Sequence, residues 1–209
     1  GIGLQIETLR RDLSKTSHNQ EAIGALDKVN SQLRKLSGLV KNLRQLFNAN
    51  YLDFHEVDLV ATTNELLEII GPTLESKRIV LTKELGHNIT ILGDAIQIQQ
   101  VLINLINNAI DAITIANTAS REIKLTITPK DQFAVIEVED SGAGIERDLL
   151  PSVFELFKTT KKDGLGVGLW LSQTIIQKHH GNIMAANSPN GGALFTIQLP
   201  LLKTSHEQS

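Results

Sequence analysis

Three groups of residues have types and spacings that could do chemistry. Asn104, Asn108 and Asp111 lie within Gln100–Ala112 at intervals of four and three residues. On a helix that spacing puts three oxygen-bearing side chains on one face. Such an array suits a hard cation or a polar ligand, although asparagine is also at home on a solvated helix face. The second group is Val138-Glu-Asp140-Ser-Gly142-Ala-Gly144-Ile145, an acidic strand end followed by two glycines. Glycine lets backbone come close to a ligand, and a fixed carboxylate can accept a hydrogen bond from an exocyclic amine. An ordinary Asp-Ser-Gly turn would have the same letters. The third group is Thr159-Thr160-Lys161-Lys162-Asp163-Gly164-Leu165-Gly166-Val167-Gly168-Leu169. Glycines alternate into a helix start, where free N–H groups and the dipole favour phosphate, and two lysines precede them. The stretch lacks the Gly-Lys-Ser/Thr ending of a Walker loop, and Leu171 stands where a dinucleotide fingerprint needs glycine. A plain surface loop is the alternative.

The elements around these groups are mixed. Short strands are expected at Val57–Leu59, Ile79–Leu85 and Ile89–Leu92, with a helix over Asn64–Leu74 interrupted near Gly71-Pro72. A long amphipathic helix over Ala95–Ala116 carries the asparagines and buries Leu102, Leu105, Ile106, Ala109 and Ile113. Alternation at Ile123, Leu125 and Ile127, then at Val135, Ile136 and Val138, predicts a β-hairpin turning at Pro129-Lys130-Asp131. A helix from near Gly166 to His180-Gly181 and strands at Ile183–Ala186 and Leu194–Leu199 complete an α+β sandwich, one sheet with helices on a single face.

The first fifty residues have a different period. Ile23, Leu26, Val29, Leu33, Leu36, Val40, Leu43 and Phe47 recur at three and four, as do Ile2, Ile6, Leu9 and Leu13. A repeat of about 3.5 residues marks supercoiling helices. The polar Thr16–Gln20 stretch between the runs predicts an antiparallel helical hairpin, half of a dimeric four-helix bundle. The expected division is a partial hairpin over 1–52 with a shortened first helix, a domain over 53–203 and a tail over 204–209.

Composition excludes several classes. The net charge of −3 gives no basic surface for nucleic acid, so none is expected as a partner. The absence of cysteine removes disulfides and thiolate metal sites. No apolar run reaches the roughly 20 residues of a membrane span, so this stretch is expected to be cytoplasmic, with membrane attachment left open for a longer protein.

In order and spacing the three groups resemble the N, G1 and G2 boxes of sensor histidine kinases within the GHKL family of ATP-binding domains. Pro151-Ser-Val-Phe154-Glu155-Leu-Phe157 resembles the intervening F box, and Gly191-Gly192 through Pro200 the closing glycine motif and strand. The short lid Phe157–Lys161 is most similar to the nitrogen-regulation and oxygen-sensing subfamily.

This resemblance implies binding of ATP or ADP with Mg²⁺. Asp140 would accept the adenine amino group beside Gly142, Gly144 and Ile145, with Thr196 lining the pocket. Asn108 would ligate Mg²⁺, assisted by Asn104, while Asp111 stands where some relatives carry lysine. Phe157, Thr159, Thr160, Lys161, Gly164, Leu165, Gly166, Val167, Gly168 and Leu169 would frame the lid and phosphates, with Lys161 the candidate for the terminal phosphate. Hydrolytic members carry a glutamate four residues before the metal asparagine. Asn104 stands there and cannot act as a base, which favours a kinase.

The implied partners are a second copy through the hairpin and a response-regulator receiver domain. The family's phosphoacceptor histidine, followed by an acidic residue and soon by proline, has no counterpart. His18 sits in the expected turn, His55-Glu56 follows the hairpin, and His179 and His180 close a helix, where positive charge suits its dipole. The acceptor is therefore expected upstream of Gly1. A nucleotide-modulated dimeric interaction module without kinase activity and a GHKL protein-serine kinase are the alternatives.

Overall fold

A computed structural model describes residues 53–161, 164–189 and 191–202, together with Leu26, Asp27, Val29 and Leu33, which are helical. The rest of the expected hairpin, His18, His206 and the tail lie outside the described residues.

Strand β1 (His55–Asp58) leads into α1 (Leu59–Ser76), whose first turn is capped by Asp58: its carboxylate accepts from the N–H groups of Val60 and Ala61 at 2.8 and 3.0 Å. The helix begins five residues before the expected start and passes through Pro72 uninterrupted. Gly71 has no Cβ to meet the proline ring, and Pro72 is exposed, so the lost backbone hydrogen bond falls at the surface. Strands β2 (Val80–Leu85) and β3 (Thr90–Gly93) follow, then α2 (Ala95–Ala116), which matches the expected span. Asp94 caps α2 at Ile96 and Gln97, and Asn117 closes it in the left-handed conformation (φ 48°).

The hairpin of β4 (Glu122–Lys130) and β5 (Phe133–Asp140) turns through Asp131 and Gln132. After α3 (Gly168–Lys178), strands β6 (Asn182–Asn187) and β7 (Ala193–Pro200) finish the domain. The main sheet has the order β2-β4-β5-β7-β6, with β2 and β4 parallel and every other pair antiparallel. β1 and β3 form a separate antiparallel ribbon, joined to the end of β7 through Ile91 and Leu201.

Period-2 alternation decides which face is buried. Ile123, Leu125, Ile127, Ile136, Val138, Phe195 and Ile197 pack towards the helices, and the five apolar residues expected on α2 are all at most 2% exposed. The other face is polar, with Lys124 paired to Glu84 at 2.8 Å and the Thr126 hydroxyl bonded to Glu137. Among the described residues, no helix is long and apolar enough to cross a membrane.

Candidate functional site

Helix α2 is the spine of the site, because one of its faces meets every other motif. At its middle, the Asn104 amide donates to the Ser172 hydroxyl on α3 at 2.9 Å. Gly168, the first residue of α3, stands against the Asn104 carboxamide so closely that a Cβ there would overlap its oxygen. One turn on, Asn108 Oδ1 accepts from Lys161 Nζ at 2.7 Å, and Asp111 Oδ2 accepts from the same ammonium at 2.6 Å. At Ala112 the helix touches the glycine turn, since a Cβ on Gly142 would come within 2.8 Å of the Ala112 Cβ. Asparagines at i and i+4 and an aspartate at i+7 therefore share a face, as their spacing predicts.

The glycine turn is held around Asp140, which is 5% exposed at the end of β5. Burial pushes its carboxyl above the usual carboxylate range, opposed by the N–H groups of Gly142 and Ala193, while the Glu139 charge adds to the rise. The Gly142 N–H to Asp140 Oδ1 distance is 2.7 Å. Gly192 (φ 83°) lies on the backbone of Asp140, leaving no room for any side chain. At the far end of the turn, Asn187 bonds both backbone groups of Ile145, and the Ser188 hydroxyl donates to Glu139.

The lid returns on itself at its base. Phe157 N–H donates to the Gly166 carbonyl at 2.9 Å, and both residues have positive φ. A Cβ on Gly166 would lie 2.5 Å from the Phe157 carbonyl carbon. Thr159 Oγ1 accepts from the Lys161 N–H, the Gly164 N–H donates to the Lys161 carbonyl, and Thr160 is exposed. Val167 is buried ahead of α3, and Leu165 and Leu169 are half-buried. Lys162 and Asp163 lie outside the described residues.

This is a hard-oxygen pair beside a buried carboxylate, with a glycine-lined helix start opposite. Its spine and its glycines fall in residues 93–203, the span that matches the family described as histidine kinase-, DNA gyrase B-, and HSP90-like ATPase.

The chain belongs to this ATPase family.

It is 34% identical over 179 residues to the sensor protein FixL of Bradyrhizobium diazoefficiens, a match covering 84% of this chain and 35% of FixL. The chain thus spans about a third of that relative's length. Among solved structures it resembles the catalytic domain of histidine kinase ThkA, with 30% identity, a TM-score of 0.63, and coverage of 71% of this chain and 95% of that one. It also resembles ThkA in complex with the response regulator protein TrrA, at 25% identity and a TM-score of 0.71, covering 97% of this chain and 58% of that one.

Within this family site the geometry corrects two expectations. Thr196 does not share a face with Asp140. It pairs with Glu137 and Met184 on the polar side of the sheet, whereas Asp140 points to the helix side with Val138 and Ile136. Period-2 geometry makes a position one residue off face the wrong way, and the β7 residue that reaches Asp140 is Ala193, through its N–H. His179 does not carry a charge for the α3 terminus either. It is 2% exposed, and burial lowers its pKa. Its Nε2 accepts from the Asp94 N–H at 3.0 Å, so Nδ1 bears the proton and donates to the Ile175 carbonyl at 2.8 Å. Phe54 stacks against the ring at 4.9 Å.

Ser172, Ala193 and Asn187 belong to the site and were not read from the sequence. Ser172 falls four residues after Gly168 on α3, a helical interval that could have flagged it. Asn187 has no such signal, because its partner is a backbone segment 42 residues away.

Proposed function

We propose that this chain is the ATP-binding catalytic part of a sensor histidine kinase, moving the γ-phosphoryl group of ATP to a histidine for relay to a response-regulator aspartate. The observation that carries this reading is Asn104. It occupies the position where hydrolytic relatives need a carboxylate, and its amide is committed to Ser172. A carboxamide cannot take a proton from water, so this position does not supply the base that hydrolysis uses. The closest carboxylate on the same face, Asp111, is engaged by Lys161.

The residues fit a nucleotide with Mg²⁺. Asn108 Oδ1 and Asp111 Oδ2 already accept a cationic donor between them, and both are the hard oxygens that Mg²⁺ selects. Among the described residues, no group of three or more His, Cys, Asp or Glu could hold a metal. Asn108 would therefore share the ion with phosphate oxygens and water. When bound, Mg²⁺ offsets phosphate charge as the γ-phosphoryl group leaves. Lys161 would then turn its ammonium to the terminal phosphate, and the N–H groups at the start of α3 would be turned to phosphate as well. Asp140 would accept the adenine amine, on a turn whose Gly142 and Gly144 pack closely against Ala112 and Asn187 rather than opening space by lacking a side chain. Homodimerisation through the hairpin and docking of a receiver domain belong to the same reading; the resemblance to ThkA bound to TrrA supports the latter.

Incubating the chain with Mg-ATP and a separately supplied acceptor hairpin, followed by intact-mass and peptide mapping near neutral pH, tests the proposal. Phosphohistidine on the hairpin is the expected product. ATP hydrolysis without phosphohistidine would sink it, and an acid-stable phosphoester would favour a serine kinase.

A further inference from the structure

The turn from Asp140 to Ile145 is fastened at both ends, and the two fastenings differ in kind. At Asp140 the carboxylate gathers the N–H groups of Gly142 and Ala193, and Gly192 packs on its backbone. At Ile145 a single side chain does the work. Asn187 Oδ1 accepts from the Ile145 N–H at 2.7 Å, while Asn187 Nδ2 donates to the Ile145 carbonyl at 2.8 Å. A carboxamide is the one short uncharged side-chain group that offers both a donor and an acceptor in one plane. It therefore completes the turn as a neighbouring strand would, from the last residue of β6.

Gly144, one residue before the clamp, has φ 76°, and a Cβ there would meet Asn187 Oδ1 at 2.9 Å and the Gly192 carbonyl at 3.2 Å. Asn187, Gly144 and Gly192 are thus packed as a unit, and Gly192 carries that packing to Asp140. The polar cluster that Lys161 of the lid forms with Asn108 and Asp111 of α2 has no hydrogen bond to this unit.

The geometry points to Asn187 as a positioning residue for the base-binding end of the site. It acts through the Ile145 backbone to hold the glycine turn at the depth at which Asp140 and Gly144 meet a purine. This rests on the adenine-site reading above. Asn187 itself touches no reacting atom. Because the clamp is exposed, its effect lies in pre-organising a loop, and losing it makes the nucleotide supply that ordering on binding.

The test is calorimetric titration of the chain with AMP and, separately, with Mg-ADP, alongside thermal unfolding. Asn187→Ala is expected to weaken both ligands by the same factor, about five- to tenfold, because the damage falls on the base they share. Asn187→Asp keeps the acceptor for the Ile145 N–H and loses the donor, so it should fall between the two. Should the alanine variant fail to fold, the aspartate variant supplies the comparison. A purely structural contribution would lower Tm without the shared factor. Unchanged affinity for both ligands in folded Asn187→Ala, or a loss confined to Mg-ADP, overturns the assignment. If the unaltered chain binds neither AMP nor Mg-ADP, the adenine-site reading fails and this inference fails with it.

Discussion

Lys161 and Asp111, fifty residues apart in sequence, form a 2.6 Å ion pair that also brings the lysine ammonium to the carboxamide oxygen of Asn108. The pair is half-open to solvent, so it adds at most about 1 kcal/mol to stability. Its consequence lies in chemistry, because it sets the charge of the lid against the oxygens that would take a metal. Lys161→Met is therefore expected to leave thermal unfolding nearly unchanged. Phosphoryl transfer to a supplied acceptor hairpin should fall by about 100-fold, the usual cost of removing one charge-stabilising donor. ADP affinity should change much less, since the terminal phosphate is absent from ADP. Equal loss of ADP binding and transfer would assign Lys161 to ground-state binding instead.

The proposed contact of Asp140 with adenine predicts a pH dependence of nucleotide binding with a definite sign. Burial raises its pKa above the ordinary 3.8, so it takes up a proton at a higher pH than an exposed aspartate would. A protonated carboxyl keeps only part of its acceptor capacity and loses the charge that strengthens a hydrogen bond from an amine. Adenine-nucleotide affinity should therefore weaken on acidification at a pH where exposed carboxylates are still ionised, and Asp140→Asn should bind weakly throughout. For stability the sign is opposite. A raised carboxyl pKa favours the protonated fold, a contribution present below 3.8 and lost as pH rises through the folded value. Titrating ADP affinity from neutral pH downward checks the first claim; a profile identical in Asp140→Asn and the unaltered chain would refute it.

Much of this arrangement could be read from residue order, for physical reasons that differ by element. Helix α2 was legible to its ends because its apolar stripe is long and unbroken and Asn117 closes it in the left-handed region. The β4–β5 hairpin was legible from its alternation. The start of α1 was hidden because Leu59-Val-Ala-Thr-Thr is rich in β-branched residues with little intrinsic preference for helix. There the cap at Asp58 and the burial of Leu59, Thr62 and Thr63 decide the outcome. Thr196 was misassigned because a motif read as letters does not carry strand register, and one residue of error reverses the face. The clamp of Asn187 on Ile145 is a tertiary contact between a side chain and a backbone, with no periodic signature at all.

Glycines in the site should be intolerant in proportion to what a methyl group would meet. Gly192→Ala drives a Cβ into the Asp140 backbone, whereas Gly191, also with positive φ, opens on nothing within 4 Å. Both substitutions bear the left-handed cost of roughly 1 kcal/mol. The first alone should displace Asp140. The expected outcome is a large loss of ADP affinity in Gly192→Ala and a nearly intact site in Gly191→Ala. Equal effects would mean that backbone strain, rather than close approach, explains the glycine pair.

His179 ties the end of α3 to the beginning of α2, and its neutral form is the one that fits. Protonation would replace the acceptor at Nε2 with a donor facing the Asp94 N–H, in a place where water cannot compensate. Because burial lowers the folded pKa below the ordinary 6.5, the fold binds fewer protons than the unfolded chain. The stability from neutral His179 is thus complete above 6.5 and is lost as pH falls through the folded value. His179→Ala leaves the buried Asp94 N–H unpartnered and opens a cavity against Phe54, at a cost of about 2–4 kcal/mol. Denaturant midpoints measured from pH 7.5 to 5 should decline in the unaltered chain. In His179→Ala they should start lower and decline less over the same range. Parallel slopes in the two proteins would place the acid sensitivity elsewhere in the domain.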